Sequence, residues 1–236
     1  MRYVPIFIAL LLAVGCAAYA DDIVTMPTAN QLKAGEVDIA AYYLGLDFPS
    51  FMPQHVQYQT AYVGVTDWLE IDAHRADVDK DRDSVVLVAS ARLLSEGPKR
   101  PDLVFGVRNL AGIQTTNANN PATCCDEREM SKKRSYFLSA AKTFFVEPTK
   151  PGPPLVRVHL SLGTEDWTLL GEKRHNGLFG GLQMLFQPNL GAVVQHDGQD
   201  LITGVTFMPG NMGLTLKAGG YGDHWWVGVA FRKDLW

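Results

Sequence analysis

Apolar and polar residues alternate along most of this chain with a period of two. In 154–163, Val156, Val158, Leu160 and Leu162 share one face, while Arg157, His159 and Ser161 share the other. In 67–76, Leu69, Ile71 and Ala73 oppose Glu70, Asp72 and His74. In 83–93, Val85, Leu87, Ala89, Ala91 and Leu93 oppose Ser90 and Arg92, and near the C-terminus Trp225, Val227, Val229 and Phe231 oppose Gly228, Ala230 and Arg232. Successive side chains of a strand point to opposite sides of a sheet, so this period predicts β-structure. Clusters of turn-forming residues interrupt the alternation at short intervals. The pattern predicts twelve strands, over 36–46, 55–64, 67–76, 83–93, 103–112, 134–146, 154–163, 178–187, 190–197, 201–208, 212–218 and 224–232. Residues 21–35 read as irregular or briefly helical, and no linker marks a second domain.

Each apolar face runs for about 8–10 residues, the length a tilted strand needs to cross a bilayer. A soluble β-sandwich that binds carbohydrate also alternates, and it is the competing class. Loop lengths separate the two. If the first strand rises from the periplasm, every second connection should be a short inner turn. The inner set is then Thr66 with its neighbours, 94–102, 147–153, Pro188-Asn189 and Pro209-Gly210-Asn211. The outer set is 47–54, 77–82, 113–133, 164–177, Gly198 to Asp200 and 219–223, and it holds the two longest loops. The expected fold is therefore all-β: an antiparallel transmembrane β-barrel of about 12 strands, built from 21–236. Trp236, after an aromatic-rich last segment, is similar to the aromatic ending of bacterial outer-membrane barrel strands.

Composition narrows the classes further. The 236 residues are 47% hydrophobic and 10% aromatic, enough apolar surface to fold, which excludes a disordered chain. Beyond the N-terminus there is no run of ~18 apolar residues, so a helical membrane bundle is excluded. A net charge of −4 lacks the basic field that nucleic acid requires. Residues 1–20 have the layout of a cleaved signal peptide: Arg2, the apolar run Val4 to Val14, and Ala18-Tyr19-Ala20 as the cleavage site. The rival reading makes Ala13-Val14-Gly15-Cys16 a lipoprotein site acylated at Cys16. Both readings export the protein, and the expected address is the outer membrane, with its lipids and the barrel-assembly machinery as partners. Cys124 and Cys125 are adjacent and cannot staple distant elements. They read as two thiols in a polar loop, a strained vicinal disulfide or a metal-capturing pair.

The search for chemistry returns little. G-x-S-x-G, H-E-x-x-H and the P-loop are all absent. Asp77, Asp79, Asp81 and Asp83 imitate a calcium loop, but Arg82 and Val88 stand where that loop needs Gly and Glu. His159 and Ser161 could serve an outer-membrane esterase only at the lipid boundary, and they share a face with Arg157. Glu165-Asp166 would need a second carboxylate at a defined distance to act as a glycosidase. No enzyme, cofactor or metal is expected. What remains is the charged face of the barrel, with Glu70, Asp72, His74, Arg92, Arg108, Arg157 and His159 as its candidate lumen lining. Two readings stay open: a pore lining that selects polar solutes, or a paired network that fills the barrel.

Two stretches also resemble a known family. Met26-Pro27-Thr28-Ala29-Asn30 with Leu32, Gly35 and Glu36 resembles the opening of YjbH-like outer-membrane proteins. Gly177-Leu178-Phe179-Gly180-Gly181, through Pro188-Asn189-Leu190 to Asp197-Gly198, resembles their recurring Gly-Gly and acidic-Gly strand pair. That family is larger, with more than one barrel in typical members, and it has an acidic-aromatic pair where this chain has Gln195-His196. The resemblance implies a β-barrel and a role in exopolysaccharide export.

Overall fold

A computed structural model describes residues 28–47, 53–78, 82–112, 134–146, 153–164, 174–210 and 212–235. The first twenty residues, the Cys124-Cys125 loop and Glu165-Asp166 lie outside the described residues. Twelve strands follow in chain order: β1 (Glu36–Asp47), β2 (Pro53–Thr66), β3 (Leu69–Val78), β4 (Arg82–Leu94), β5 (Asp102–Arg108), β6 (Ser135–Phe145), β7 (Leu155–Gly163), β8 (Gly177–Gln187), β9 (Leu190–His196), β10 (Leu201–Phe207), β11 (Leu214–Tyr221) and β12 (His224–Asp234). Each pairs antiparallel with its chain neighbours, and β1 pairs with β12, from Glu36 opposite Asp234 to Leu44 opposite Trp226. The sheet is thus a closed up-and-down barrel. Connections alternate between its two ends, and Gly35 and Leu235, which flank the seam, share one end with the 67–68 and 188–189 turns.

The strands arise where the alternation predicted them, with two informative shifts. β5 stops at Arg108 because Asn109 adopts a φ of 55° and opens a turn in which Gly112 N–H donates to Asn109 O. β11 runs through Gly219 and Gly220, which read in the sequence as part of a turn; only 222–223 connect it to β12. Three ladders shift register, at Gly64/Thr66, Arg92/Leu94 and Leu185/Gln187, all at the end that holds the seam-flanking residues. Such bulges tighten the local twist and are common at barrel rims.

The two faces of the sheet differ in chemistry. Outward positions carry large apolar side chains, among them Ile71, Leu87, Leu138, Leu160, Leu162 and Val205, all of them exposed on the isolated chain. Aromatics cluster at both ends of this band. Trp68, Phe144, Phe186 and Phe207 lie near the end of the seam-flanking residues. At the other end Tyr43 stacks on Trp225 at 5.4 Å and Phe105 on Tyr136 at 6.2 Å. Inward positions are buried, and the inside of the barrel is occupied. Tyr42, Tyr58, Phe137, Phe179, Tyr221 and Trp226 form one cluster, with Trp226 at 0% exposure. Room for these rings comes from glycines on facing strands: a Cβ at Gly106 would strike Phe137, one at Gly204 Trp226, and one at Gly228 Tyr42.

That interlock makes a testable demand. Gly228→Val should overpack the lumen against Tyr42 and lower stability by about 1–3 kcal/mol. The outward Val227→Ala should leave the lumen packing intact. Urea midpoints of the folded, slow-unfolding form in detergent compare the two.

Candidate functional site, a charged barrel interior

The seam end of the lumen is built around Arg157, the third residue of β7. Its guanidinium donates to Asn30 Oδ1 at 2.6 Å, Glu96 Oε2 at 2.5 Å, Thr143 Oγ1 at 2.7 Å and Asp102 Oδ2 at 2.6 Å. Two carboxylates on one guanidinium neutralise it locally, and the fork geometry suits them. Glu96 also accepts from Thr143 N–H at 2.7 Å, and Asp102 Oδ1 accepts from Glu96 N–H at 2.6 Å. Burial works to raise the Glu96 carboxyl, but these hydrogen bonds and Arg157 outweigh it and hold the group below its ordinary value.

Asn30 belongs to the irregular segment before β1, which folds back into this end of the barrel rather than running over the surface. Ala29 and Leu32 are fully buried there. The segment's backbone, having no ladder partner, is satisfied by lumen side chains. Leu32 N–H donates to Glu70 Oε2 at 2.8 Å, Gln31 Nε2 donates to Ser90 Oγ at 2.9 Å, and Arg92 Nη2 donates to Gln31 O at 3.0 Å. Gly64 is the residue it crosses, since a Cβ there would collide with the Lys33 carbonyl. Residues 28–33 therefore act as a plug.

The middle of the lumen is aromatic and polar together. Tyr58 Oη and His74 Nδ1 are 2.7 Å apart, and Asp72 lies 4.0 Å from the other ring nitrogen of His74. Lys217 Nζ donates to Tyr42 Oη at 3.0 Å. Arg108 lies over the rings of Phe137 and Phe179, at 5.0 and 5.8 Å from their centroids. Ser139 and Ser161 share a hydrogen bond of 2.7 Å, whereas neither nitrogen of His159 has a hydrogen-bond partner among the described residues. His159 and Ser161 thus form no dyad, and both lie inside the barrel, away from lipid.

The far end carries a second, separate network. Arg174 bonds Asp197 Oδ2 at 2.5 Å and Asp200 Oδ2 at 2.7 Å, lies over the Tyr221 ring and donates to its hydroxyl. Tyr221 Oη donates to Asp197 Oδ2 at 2.6 Å, and Asp197 Oδ1 accepts the backbone N–H groups of Gln199 and Asp200. Burial opposes ionisation of Asp197, but Arg174 and these donors hold its carboxyl below the usual range.

The seven residues singled out from the sequence are all on the inward face. Glu70, Asp72, His74, Arg108 and His159 are buried; Arg92 and Arg157 are half-buried at the seam end. They do not form one site. Arg157 pairs with Glu96 and Asp102 rather than with Glu70, whose carboxylate is taken by the plug. Sequence reading missed Asp102 and Lys217, although both lie on alternating inward faces and could have been found. It also missed Glu96, Arg174 and Asp200, which sit in connections where no period operates.

A closed antiparallel barrel with an apolar outer band, aromatic girdles and a charged interior defines a lipid-spanning β-barrel. No protein-family model matches the chain, and no curated protein matches it. Among solved structures, the N-terminal β-barrel domain of Pseudomonas aeruginosa OprF aligns with 86% of this chain and 100% of its own, at 11% identity and a TM-score of 0.26. The barrel assignment rests on the continuous strand ladder itself.

Arg157 is the residue whose loss should cost most. Arg157→Ala leaves Glu96, Asp102 and Asn30 without their shared donor and should destabilise the barrel by about 3 kcal/mol, the low end for a broken buried pair. Part of this stability is acid-sensitive. Because Glu96 is held below its ordinary 4.5, its contribution is complete above that pH and is lost as pH falls through the depressed value. The variant should therefore lose stability less steeply than the parent below about pH 4.5, read as urea midpoints against pH.

Proposed function

We propose that this protein is an outer-membrane β-barrel, not an enzyme, that serves with a closed lumen as an accessory of polar-solute or exopolysaccharide export. The observation that carries the membrane placement is the outward face. Leu160, Leu162, Leu178, Val205 and Trp225 are each more than half exposed on the isolated chain. A continuous apolar belt of this kind is far larger than the patches that soluble monomers tolerate. A single closed sheet also has no second sheet to cover it, which removes the rationale for a carbohydrate-binding sandwich. Closure of the lumen is supported by the buried aromatic cluster and by the two end networks.

The export role draws on the YjbH-like resemblance. In the fold, part of that resemblance falls on the end networks: Thr28, Ala29, Asn30 and Leu32 belong to the plug, and Asp197 with Gly198 to the far-end turn, while Gly177 to Gly181 lie in β8. Short turns belong to the periplasmic side and long loops to the outside, so the seam end with its plug faces the periplasm.

Four measurements test this reading. The protein should fractionate with outer membranes, shift in mobility on heating in mild detergent, and give no steady current in planar bilayers. A stable current altered by Arg157→Glu would instead mark an open pore, and recovery in the soluble periplasm would remove the membrane reading. For orientation, a membrane-impermeant thiol reagent should label Cys124 and Cys125 on intact cells after mild reduction. Labelling only after lysis would invert the topology.

A further inference from the structure

His175 is a buried polar side chain that packing alone does not explain. It lies in the 164–176 connection, where the chain turns into the far end of the lumen at a φ of 56°, and it is 0% exposed. Its backbone N–H donates to Asp197 O at 2.6 Å. Its carbonyl rests on Gly163, where a Cβ would collide with it. The ring packs on Phe179, with centroids 5.0 Å apart, and neither nitrogen has a hydrogen-bond partner among the described residues. A leucine or phenylalanine would fill this space without stranding two polar atoms. What a histidine adds is a proton site that ordinarily fills near neutral pH.

The charged neighbours come from every side. Arg174 precedes His175 on its own connection, Arg108 approaches from β5 and His74 from β3, and all three disfavour a charge on the ring. Asp197, in the β9–β10 turn, is the one carboxylate that favours it. That carboxylate is already shared among Arg174, Tyr221 of β11 and two backbone N–H groups.

We propose that His175 makes the far-end closure acid-labile: the closed mouth holds the ring neutral, and protonation separates the Arg174–His175 segment from the Asp197–Asp200 turn and opens that end of the lumen to water. Burial first, then Arg108, keeps the enclosed ring well below its ordinary 6.5. A released ring returns to that value. Closure is therefore at full strength above pH 6.5 and weakens below it, by about tenfold in the open-to-closed ratio per pH unit. Asp197 is held below its ordinary 3.8 and titrates only in stronger acid, so the mildly acidic window belongs to the histidine. This inference stands apart from the export reading and needs only the barrel.

Hydrogen exchange of the purified full chain in detergent micelles tests it, with rates normalised to unstructured peptide at each pH. Peptides covering 174–177 and 196–201 should lose protection by about tenfold per unit from pH 6.5 to 4.5, while those from β7 keep theirs. His175→Gln and the apolar His175→Leu should each flatten that slope, and His196→Gln, at the end of β9 beside the Asp197–Asp200 turn, should preserve it. Level protection in the parent protein, or a slope that survives both His175 substitutions, overturns the proposal. Should His175→Gln fail to fold, His175→Leu and the parent slope still decide it.

Discussion

Everything in this molecule depends on the seam between β1 and β12. Each strand in lipid must satisfy its N–H and C=O groups within the sheet, because the bilayer core offers no partner. Nine register pairs, from Glu36–Asp234 to Leu44–Trp226, complete that requirement. Asp38 and Arg232 face one another across the seam, with Arg232 Nε 3.3 Å from Asp38 Oδ2. Closing the sheet also creates a small enclosed volume. A charge pointing into it needs close partners there, since desolvation is repaid only by such contacts. The ion pairs of Arg157 and Arg174 follow from that enclosure.

The fold could be read from the sequence because its two determinants are local. Val156, Val158, Leu160 and Leu162 announce a lipid face with a period of two, and turn residues mark where each strand ends. The misreadings have physical causes. Gly219 and Gly220 look like a turn, but in β11 a Cβ at Gly219 would collide with the Thr203 carbonyl, and the Trp226 indole N–H donates to Gly220 O and Thr203 O. The interior was only half readable. Alternation tells which side chains point inward but not which of them meet, because partners come from sequence-distant places: Arg157 finds Asn30, 127 residues away. The segment 28–33 carried no periodic signal at all, and its burial follows only once the barrel exists to receive it.

The networks at the two ends are built by different means. At the seam end the closure is a stretch of backbone, held by side chains of β3, β4 and β7 and inserted from outside the sheet. At the far end it is a side-chain lock, in which Arg174 reaches one turn and its carboxylates reach back to the loop. The first is continuous with β1 and cannot move far without disturbing Gly35, whose N–H donates to Gly64 O and whose carbonyl accepts from Leu235. The second joins a connection to a turn, with Tyr221 of β11 as its strand residue.

The position of the plug also bears on how the barrel is assembled. Every ladder except one joins strands adjacent in the chain, so hairpins can form early and at low entropic cost. The β1–β12 seam joins residues nearly the whole chain apart, and by contact order it comes late. Because the plug is tethered directly to β1, its insertion is coupled to the placement of that strand. Until then Glu70, Arg92 and Arg157 line an open trough with their plug partners missing. The nascent sheet thus has hydrogen-bonding groups unmatched just before it closes, and the incoming segment supplies neutral amide partners as the cylinder is sealed.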